Sequence, residues 1–264
     1  MTVPDDLLDL ATRLAAEAST LLFDGLARAR TDVSTKSSST DLVTEMDRAA
    51  ERLIGDGLRL ARPDDGIVGE EGTDHIGTSG VRWLVDPIDG TTNYTYGHPG
   101  FAVSIAAEVD GVTTVGVVAD PLHRDVFQAI RGAGARRNGK AISVTPLDDL
   151  AHALVATGFS YEPERRRRQA AVLTRVLPRV RDIRRMGAAA VDLCSVACGR
   201  VDAFYEKGLQ PWDHAAGALI AAEAGAMVGD LDGGPASGAF CLAAGPGVFA
   251  ALRDLLREAG AADA

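Results

Sequence analysis

Cysteine is scarce in this chain of 264 residues, which carries 3. An odd count closes no disulfide framework. Cys194 and Cys198 stand one helical turn apart with no histidine nearby, so they read as small core residues and not as metal ligands. That usage fits a reducing cytoplasm. Basic residues are outnumbered, 27 against 37 acidic ones, and the formal net charge of −10 argues against nucleic acid as a general partner. No hydrophobic run approaches the length of a membrane span. The N-terminus, Met1-Thr2-Val3-Pro4-Asp5-Asp6, lacks the basic start of a signal peptide. Internal repeats and linker-like segments are missing as well.

What is present suits a globular protein. Hydrophobic residues make up 46% and charged residues 24%, enough for a sizeable core under an ordinary surface. The length suits one large domain or two intimately joined halves. Leu7, Leu10, Ala11, Leu14, Ala18, Leu21 and Leu22 form a helical stripe within residues 4–30. Residues 34–40 are Ser/Thr-rich and read as a mobile loop. A second helix follows with Met46, Ala49, Ala50, Leu53 and Ile54 on one face, and Thr44 with Asp47 suits its cap. Strands are then expected near Ile67, over Trp83–Asp86, Phe101–Val109, Val112–Ala119 and Val126–Arg131, with hairpin turns at Asp110-Gly111 and Asn138-Gly139. The second half alternates: strands at 154–157, 182–184, 201–205 and 240–243, and helices at 164–177, 188–198, 213–224 and 247–259. The pattern is layered α and β with a largely antiparallel first sheet.

The most informative stretch is Trp83-Leu84-Val85-Asp86-Pro87-Ile88-Asp89-Gly90-Thr91-Thr92-Asn93. A short apolar run ends in two aspartates, then a glycine and a threonine. Two carboxylates at a strand's mouth repel each other and are costly to desolvate unless something cationic sits between them. Pro87 stiffens the turn so that both converge. Hard divalent cations want oxygen ligands of this kind, and Mg²⁺ leaves room for substrate phosphate. The stretch reads as the metal anchor of a phosphate-handling enzyme.

Two further acidic sites stand out, Gly69-Glu70-Glu71-Gly72 and Trp212-Asp213-His214-Ala215-Ala216-Gly217. With the Asp86–Asn93 stretch they closely resemble the motifs of the inositol monophosphatase family. Lys36-Ser37-Ser38 with Asp41 through Asp47, and Gly199 through Glu206, match it too. The likeness covers nearly the whole chain, in order. It implies the α/β/α/β/α sandwich of the sugar phosphatases, one unit over 1–264 whose half 1–150 carries most metal ligands and whose half 151–264 carries Asp213 and substrate-binding residues. It implies that Glu70, Asp86 and the Ile88 carbonyl hold a first Mg²⁺, that Asp86, Asp89 and Asp213 hold a second, and that a third ion can bind near Glu70. Thr91, assisted by Asp47, would orient and deprotonate a metal-activated water, with Glu70 counted in the catalytic set. Gly90, Thr91, Gly187, Ala188, Ala189, Glu206 and Asp213 would meet the substrate, and lithium would inhibit.

Plainer readings stand beside these. Asp47 and Asp213 also read as helix caps, and both roles can hold at once. Glu71 reads as a solvated neighbour of Glu70. His98, His123 and His214 read as structural or surface residues, and Arg165–Arg168 as a solvated helix face. Haloacid-dehalogenase-type phosphatases space their strand-end aspartates with one residue between them. Here two intervene, so no phosphoenzyme is expected. Where family members carry Gly-Ser/Thr-Ala, this chain has Gly187-Ala188-Ala189. The substrate thus stands between inositol phosphate or a similar polyol phosphate, histidinol phosphate, fructose 1,6-bisphosphate and a nucleotide 3′-phosphate. A non-catalytic phospholigand-binding relative is the alternative from another class. A cytoplasmic homodimer, with no nucleic-acid or membrane partner, completes the expectation.

Overall fold

The computed structural model describes residues 3–26, 33–35 and 42–264. Its elements in chain order are α1 (Val3–Gly25), β1 (Val33–Thr35), β2 (Leu42–Thr44), α2 (Glu45–Ala61), β3 (Gly66–Gly69), β4 (Val81–Asp89), α3 (Thr91–Tyr96), β5 (Ala102–Val109), β6 (Val112–Asp120), β7 (Asp125–Ile130), β8 (Ala135–Arg137), β9 (Lys140–Ala141), β10 (Leu154–Thr157), α4 (Pro163–Val176), β11 (Asp182–Arg184), α5 (Ala189–Ala197), β12 (Ala203–Glu206), α6 (Pro211–Glu223), β13 (Met227–Gly229), β14 (Cys241–Ala244) and α7 (Pro246–Glu258).

Seven strands form the first sheet in the order β3-β4-β5-β6-β7-β8-β9. Only the β3–β4 pair is parallel. The second sheet has the order β11-β10-β12-β14-β13, parallel on the β11 side and antiparallel on the β13 side. Helices α1 and α2 cover one face of the first sheet. Helices α5 and α6 fill the space between the sheets, and α7 lies on the outer side of the second with α4 beside it. This is the expected α/β/α/β/α layering.

The helix sequences explain these places. The α1 stripe Leu7, Ala11, Leu14, Ala18 and Leu22 is buried against the first sheet. Helix α5 is buried at all nine of its residues, the mark of a helix covered on every side. Small residues bring the middle layer close: a methyl group at Gly116 of β6 would stand 2.8 Å from the Ala216 carbonyl of α6. The turn residues Asp110, Gly111, Asn138 and Gly139 all have positive φ, as the hairpin signals require. Cys194, Cys198 and Cys241 are free thiols. No helix among the described residues is long and apolar enough to cross a membrane.

Some expectations need adjustment. Residues 34 and 35, read as the start of a loop, belong with Val33 to β1, which pairs with β2. Residues 36–41, which carry Lys36, Ser37, Ser38 and Asp41, lie outside the described residues. The short helix α3 and strands β8, β9 and β13 were not anticipated, because segments of two to six residues hold too few side chains to show a period.

Candidate active site

The acidic stretch is assembled by a bulge. Residues three apart on a regular strand face opposite ways. Asp86 of β4 pairs with Ser104, whereas Asp89 pairs with Ala102, so β4 carries one extra residue between them. That extra residue turns both carboxylates to the same side. The Ile88 N–H donates to Asp86 Oδ1 at 3.0 Å, which holds the turn. Beside them the β3–β4 register sets Gly69 against Val85, and the Glu70 N–H donates to the Val85 carbonyl at 3.2 Å. Strand pairing therefore brings the Glu70 backbone next to Asp86.

Gly90 follows with φ +91, in the left-handed region. A methyl group there would stand 2.8 Å from the Gly100 carbonyl and 3.1 Å from the Ala188 methyl, so side chain and backbone both demand glycine. Thr91 starts α3. Its hydroxyl lies 3.2 Å from Asp47 Oδ1 and 3.1 Å from the Ile88 carbonyl, both acceptors. Asp47 comes from the first turn of α2 and is fully buried behind Thr91. The described structure shows its bond to Thr91; the side chain of its expected cap partner Thr44 lies outside the described residues.

The other layers close the site. Asp89 Oδ1 accepts the Ala189 N–H at 3.1 Å and Oδ2 the Ala190 N–H at 2.6 Å, at the start of α5, where an anion is favoured. The Ser104 hydroxyl donates to the Trp212 carbonyl at 3.1 Å and pins the start of α6 beside Asp86. Asp213 takes the Gln210 N–H on Oδ2 at 2.7 Å and also lines the cleft, so its cap and site readings hold together. Glu206 ends β12, where Gly158 leaves it room: a methyl group on Gly158 would strike the Glu206 carboxylate.

Glu70, Asp86, Ile88, Asp89, Gly90, Thr91, Gly187, Ala188, Ala189, Glu206 and Asp213 all line one cleft. Of the expected site residues only Asp47 stands behind the wall. Among the described residues no three His, Cys, Asp or Glu side chains are grouped tightly enough to hold a metal ion as they stand. The electrostatics of the carboxylates show mutual crowding. Burial pushes Asp86 well above the usual carboxylate range, and the charges of Glu70, Asp89 and Asp213 add to it. Burial pushes Asp89 up to about 7, against the Ala190 and Ala189 N–H groups and with Glu206 adding to the rise. Burial likewise lifts Glu206 to about 7, opposed by Arg185 and Arg165 and helped by Asp213. Oxygen donors that are buried, adjacent and mutually repelling suit a hard divalent cation.

Three residues that matter here were not singled out from the sequence. Asn93 Nδ2 donates to the Gly100 and Met186 carbonyls, both at 2.6 Å, and so ties the Gly90 turn to the Gly187 turn. Arg185 lines the cleft, two residues before Gly187. Glu51 braces the Glu70 loop from behind. The first lay inside the quoted motif and the third stands four residues after Asp47; those were the available signals. The reading of Arg165–Arg168 as a solvated face needs correction at its first member. Arg165 is half-buried and lines the cleft, whereas Arg166, Arg167 and Arg168 are exposed. Pro163 starts α4, and the helical turn of about 100° per residue points Arg165 inward and Arg166 and Arg167 away.

A layered α/β fold with a carboxylate-lined cleft between its sheets defines a class of cation-assisted phosphate-ester enzymes. The comparisons place the chain within it. The Inositol monophosphatase family matches residues 4–263. An inositol-1-monophosphatase of Mycobacterium bovis is 47% identical over 86% of this chain and 86% of its own. The solved extragenic suppressor protein suhB from Bartonella henselae superposes with a TM-score of 0.91 at 36% identity, covering 96% of this chain and 99% of that one. Mycobacterium tuberculosis SuhB gives 0.83 at 42%, covering 97% of each. The chain belongs to the inositol monophosphatase family, and it is a phosphoric monoester hydrolase.

Proposed function

We propose that this protein hydrolyses inositol monophosphate or a similar small polyol phosphate with Mg²⁺, in the cytoplasm and as a homodimer. The observation that carries the reading is the bulge that turns Asp86 and Asp89 to one side, next to Glu70 and opposite Asp213. The family uses divalent cations. Here Glu70, Asp86 and the Ile88 carbonyl would hold one ion, and Asp86, Asp89 and Asp213 a second. When bound, the ions make water more acidic and offset phosphate charge.

The chain's own groups then divide the work. Thr91 presents its oxygen to the cleft while its hydroxyl proton points to Asp47 or to the Ile88 carbonyl. It accepts the water's proton as its own passes to Asp47. The water oxygen bonds to phosphorus, the ester P–O bond breaks, and the leaving alkoxide takes a proton from solvent. Glu206, half-buried on the facing wall, accepts hydrogen bonds from the hydroxyls of the polyol. The Ala188 methyl packs over Gly90 and offers no hydroxyl, so the polar contacts on that side fall to Glu206 and the lining arginines Arg165 and Arg185. Three free thiols support a reducing compartment. The homodimer rests on the family resemblance, and sedimentation of the purified chain tests it.

The test is phosphate release from a panel of inositol, histidinol, fructose and nucleotide phosphates, with Mg²⁺ and with chelator. Turnover should appear only with metal and be highest on the polyol monophosphates. Full turnover in metal-free buffer, or none on any ester, would defeat the reading.

A further inference from the structure

One buried side chain holds the backbone just after Glu70 and abuts the residue just before it. Glu51 lies on α2 and is 2% exposed. Its Oε2 accepts the Glu71 N–H at 2.7 Å, and its Oε1 accepts the Thr73 N–H at 2.8 Å. Gly69 abuts the same group: a methyl added there would stand 2.7–2.8 Å from the carboxylate atoms of Glu51. The loop is also tied by the Glu70 N–H to the Val85 carbonyl at 3.2 Å, by paired Ile67–His75 backbone bonds at 2.8 and 2.9 Å, and more loosely by the Gly69 N–H to Asp74 Oδ1 and the Gly72 N–H to the Gly69 carbonyl, both at 3.3 Å. Between Glu70 and Asp74 the side chain of Glu51 makes the two shortest of these bonds to the loop N–H groups. Glu51 does not line the cleft.

A carboxylate is costly to bury, and a neutral acceptor would staple a loop with less desolvation. What a carboxylate adds is stronger, geometrically fixed bonding through two oxygens. Its position on the helix matters as well. Glu51 is four residues after Asp47, so the two carboxylates share one face of α2. Asp47 touches Thr91, and Glu51 grips the Glu70 loop. One rigid helix therefore spans the proton-accepting group and the metal-facing loop.

The geometry points to Glu51 as a positioning residue, which fixes the Glu70 carboxylate against Asp86 and sets its distance from the Thr91–Asp47 pair. This rests on the reading of Glu70 as a metal ligand. Glu51 touches neither substrate nor metal; it acts through the loop. A merely structural staple would affect folding stability and leave metal affinity alone.

Three variants separate these possibilities: Glu70→Gln, Glu51→Gln and Gly69→Ala. Glu51→Gln turns an amide NH₂ toward a backbone N–H, and Gly69→Ala displaces the carboxylate without removing its charge. Each is measured by titration calorimetry with Mg²⁺ alone, by the Mg²⁺ concentration giving half-maximal turnover, and by thermal midpoint. Glu51→Gln and Gly69→Ala should each weaken Mg²⁺ binding by about 10-fold, the lower end for outer partners of ligands. At saturating Mg²⁺ their kcat should return to within about 3-fold of the native value, because Glu70 itself is intact. Metal binding lost in Glu70→Gln but unchanged in the other two, with only the midpoint lowered, would make Glu51 a staple and overturn the inference. Unchanged binding in Glu70→Gln would overturn the ligand reading beneath it. Should Glu51→Gln not fold, Gly69→Ala decides alone.

Discussion

The two walls of the cleft are built differently. On the first-sheet wall Asp47, Asp86, Asp89 and Thr91 are 0, 2, 8 and 9% exposed. They sit on or beside β4, which is flanked by β3 and β5. The facing wall comes from the second sheet and its helices. There Glu206, Asp213 and Arg165 are half-buried and Arg185 is exposed. Arg185 stands just past the edge strand β11, in a connection. The groups proposed for the chemistry are placed where low dielectric multiplies their charge and packing prevents motion. The groups proposed to meet the leaving group stand at a strand end, on α4 and in a connection, where substitution is better tolerated. Changes on the first wall, and at Asp213 across from it, should therefore act on every substrate, and changes at Glu206 and the arginines of the second wall should depend on what the phosphate is attached to.

The largest expected effect tests the proposed ion site that the first wall shares with Asp213 across the cleft. Asp89→Asn and Asp213→Asn each remove one formal charge from the proposed second ion site while keeping side-chain size. Turnover on all esters should fall by more than the roughly 10–100-fold that loss of an outer partner costs. Circular dichroism should remain native. Near-native turnover in both at saturating Mg²⁺ would mean that the acidic wall holds no ion there.

Thr91→Ala comes next. Its hydroxyl is proposed to act mostly in the transition state, so kcat should fall more than KM rises. General-base help is worth about 10²–10⁴-fold, and with Asp47 still in place the lower end is expected. Steady-state kinetics decide it; a change confined to KM would move Thr91 to substrate binding.

On the second wall, Glu206→Gln should lower kcat/KM for polyol phosphates by about 10- to 150-fold, the equivalent of roughly 1.5–3 kcal/mol for a charged hydrogen bond. An aryl phosphate, which offers no hydroxyls, should be nearly unaffected. Equal loss on both esters would erase the distinction between the walls.

The smallest effect on activity is expected far from the cleft, at the opposite end of β3 and β4. Asp65 is buried there and takes hydrogen bonds from Arg62, Ser79 and the Trp83 indole. Burial raises its pKa, but those three donors together outweigh burial and hold it below the usual value. The folded state thus binds this proton less readily than the unfolded state. Its stabilisation is complete above the unfolded pKa and disappears as pH falls through the lowered folded one. Asp65→Asn should cost about 1–3 kcal/mol at neutral pH and less in acid, with turnover unchanged. A thermal-midpoint difference independent of pH would show that the carboxylate charge is not what matters.

How much of this was legible beforehand differs from element to element. The Leu7–Leu22 stripe, the Asp110-Gly111 turn and the long strands from Phe101 to Arg131 announce themselves, because each is a repeated local pattern. Asp86 and Asp89 did too, since strand-end carboxylates beside glycine and threonine have no comfortable place in a core; Glu70, the Ile88 carbonyl and Asp213 joined them only through the family resemblance. Arg165 shows the opposite case. Four consecutive arginines look alike in a chain, and only the start point of α4 selects which one faces inward. Glu51 and Asn93 are ordinary residues whose partners lie 20 and 93 positions away, at Glu71 and Met186.

By itself, then, the amino-acid order determined the class of fold, the acidic constellation and the chemistry it invites, because periodicity, turn residues and charge repulsion act within a few residues of each other. The tertiary structure alone decided which carboxylates share a side, through one extra residue in β4. It also decided which buried acid holds which loop and which cation reaches the cleft, since those outcomes depend on registers and helix starts fixed between segments distant in the chain.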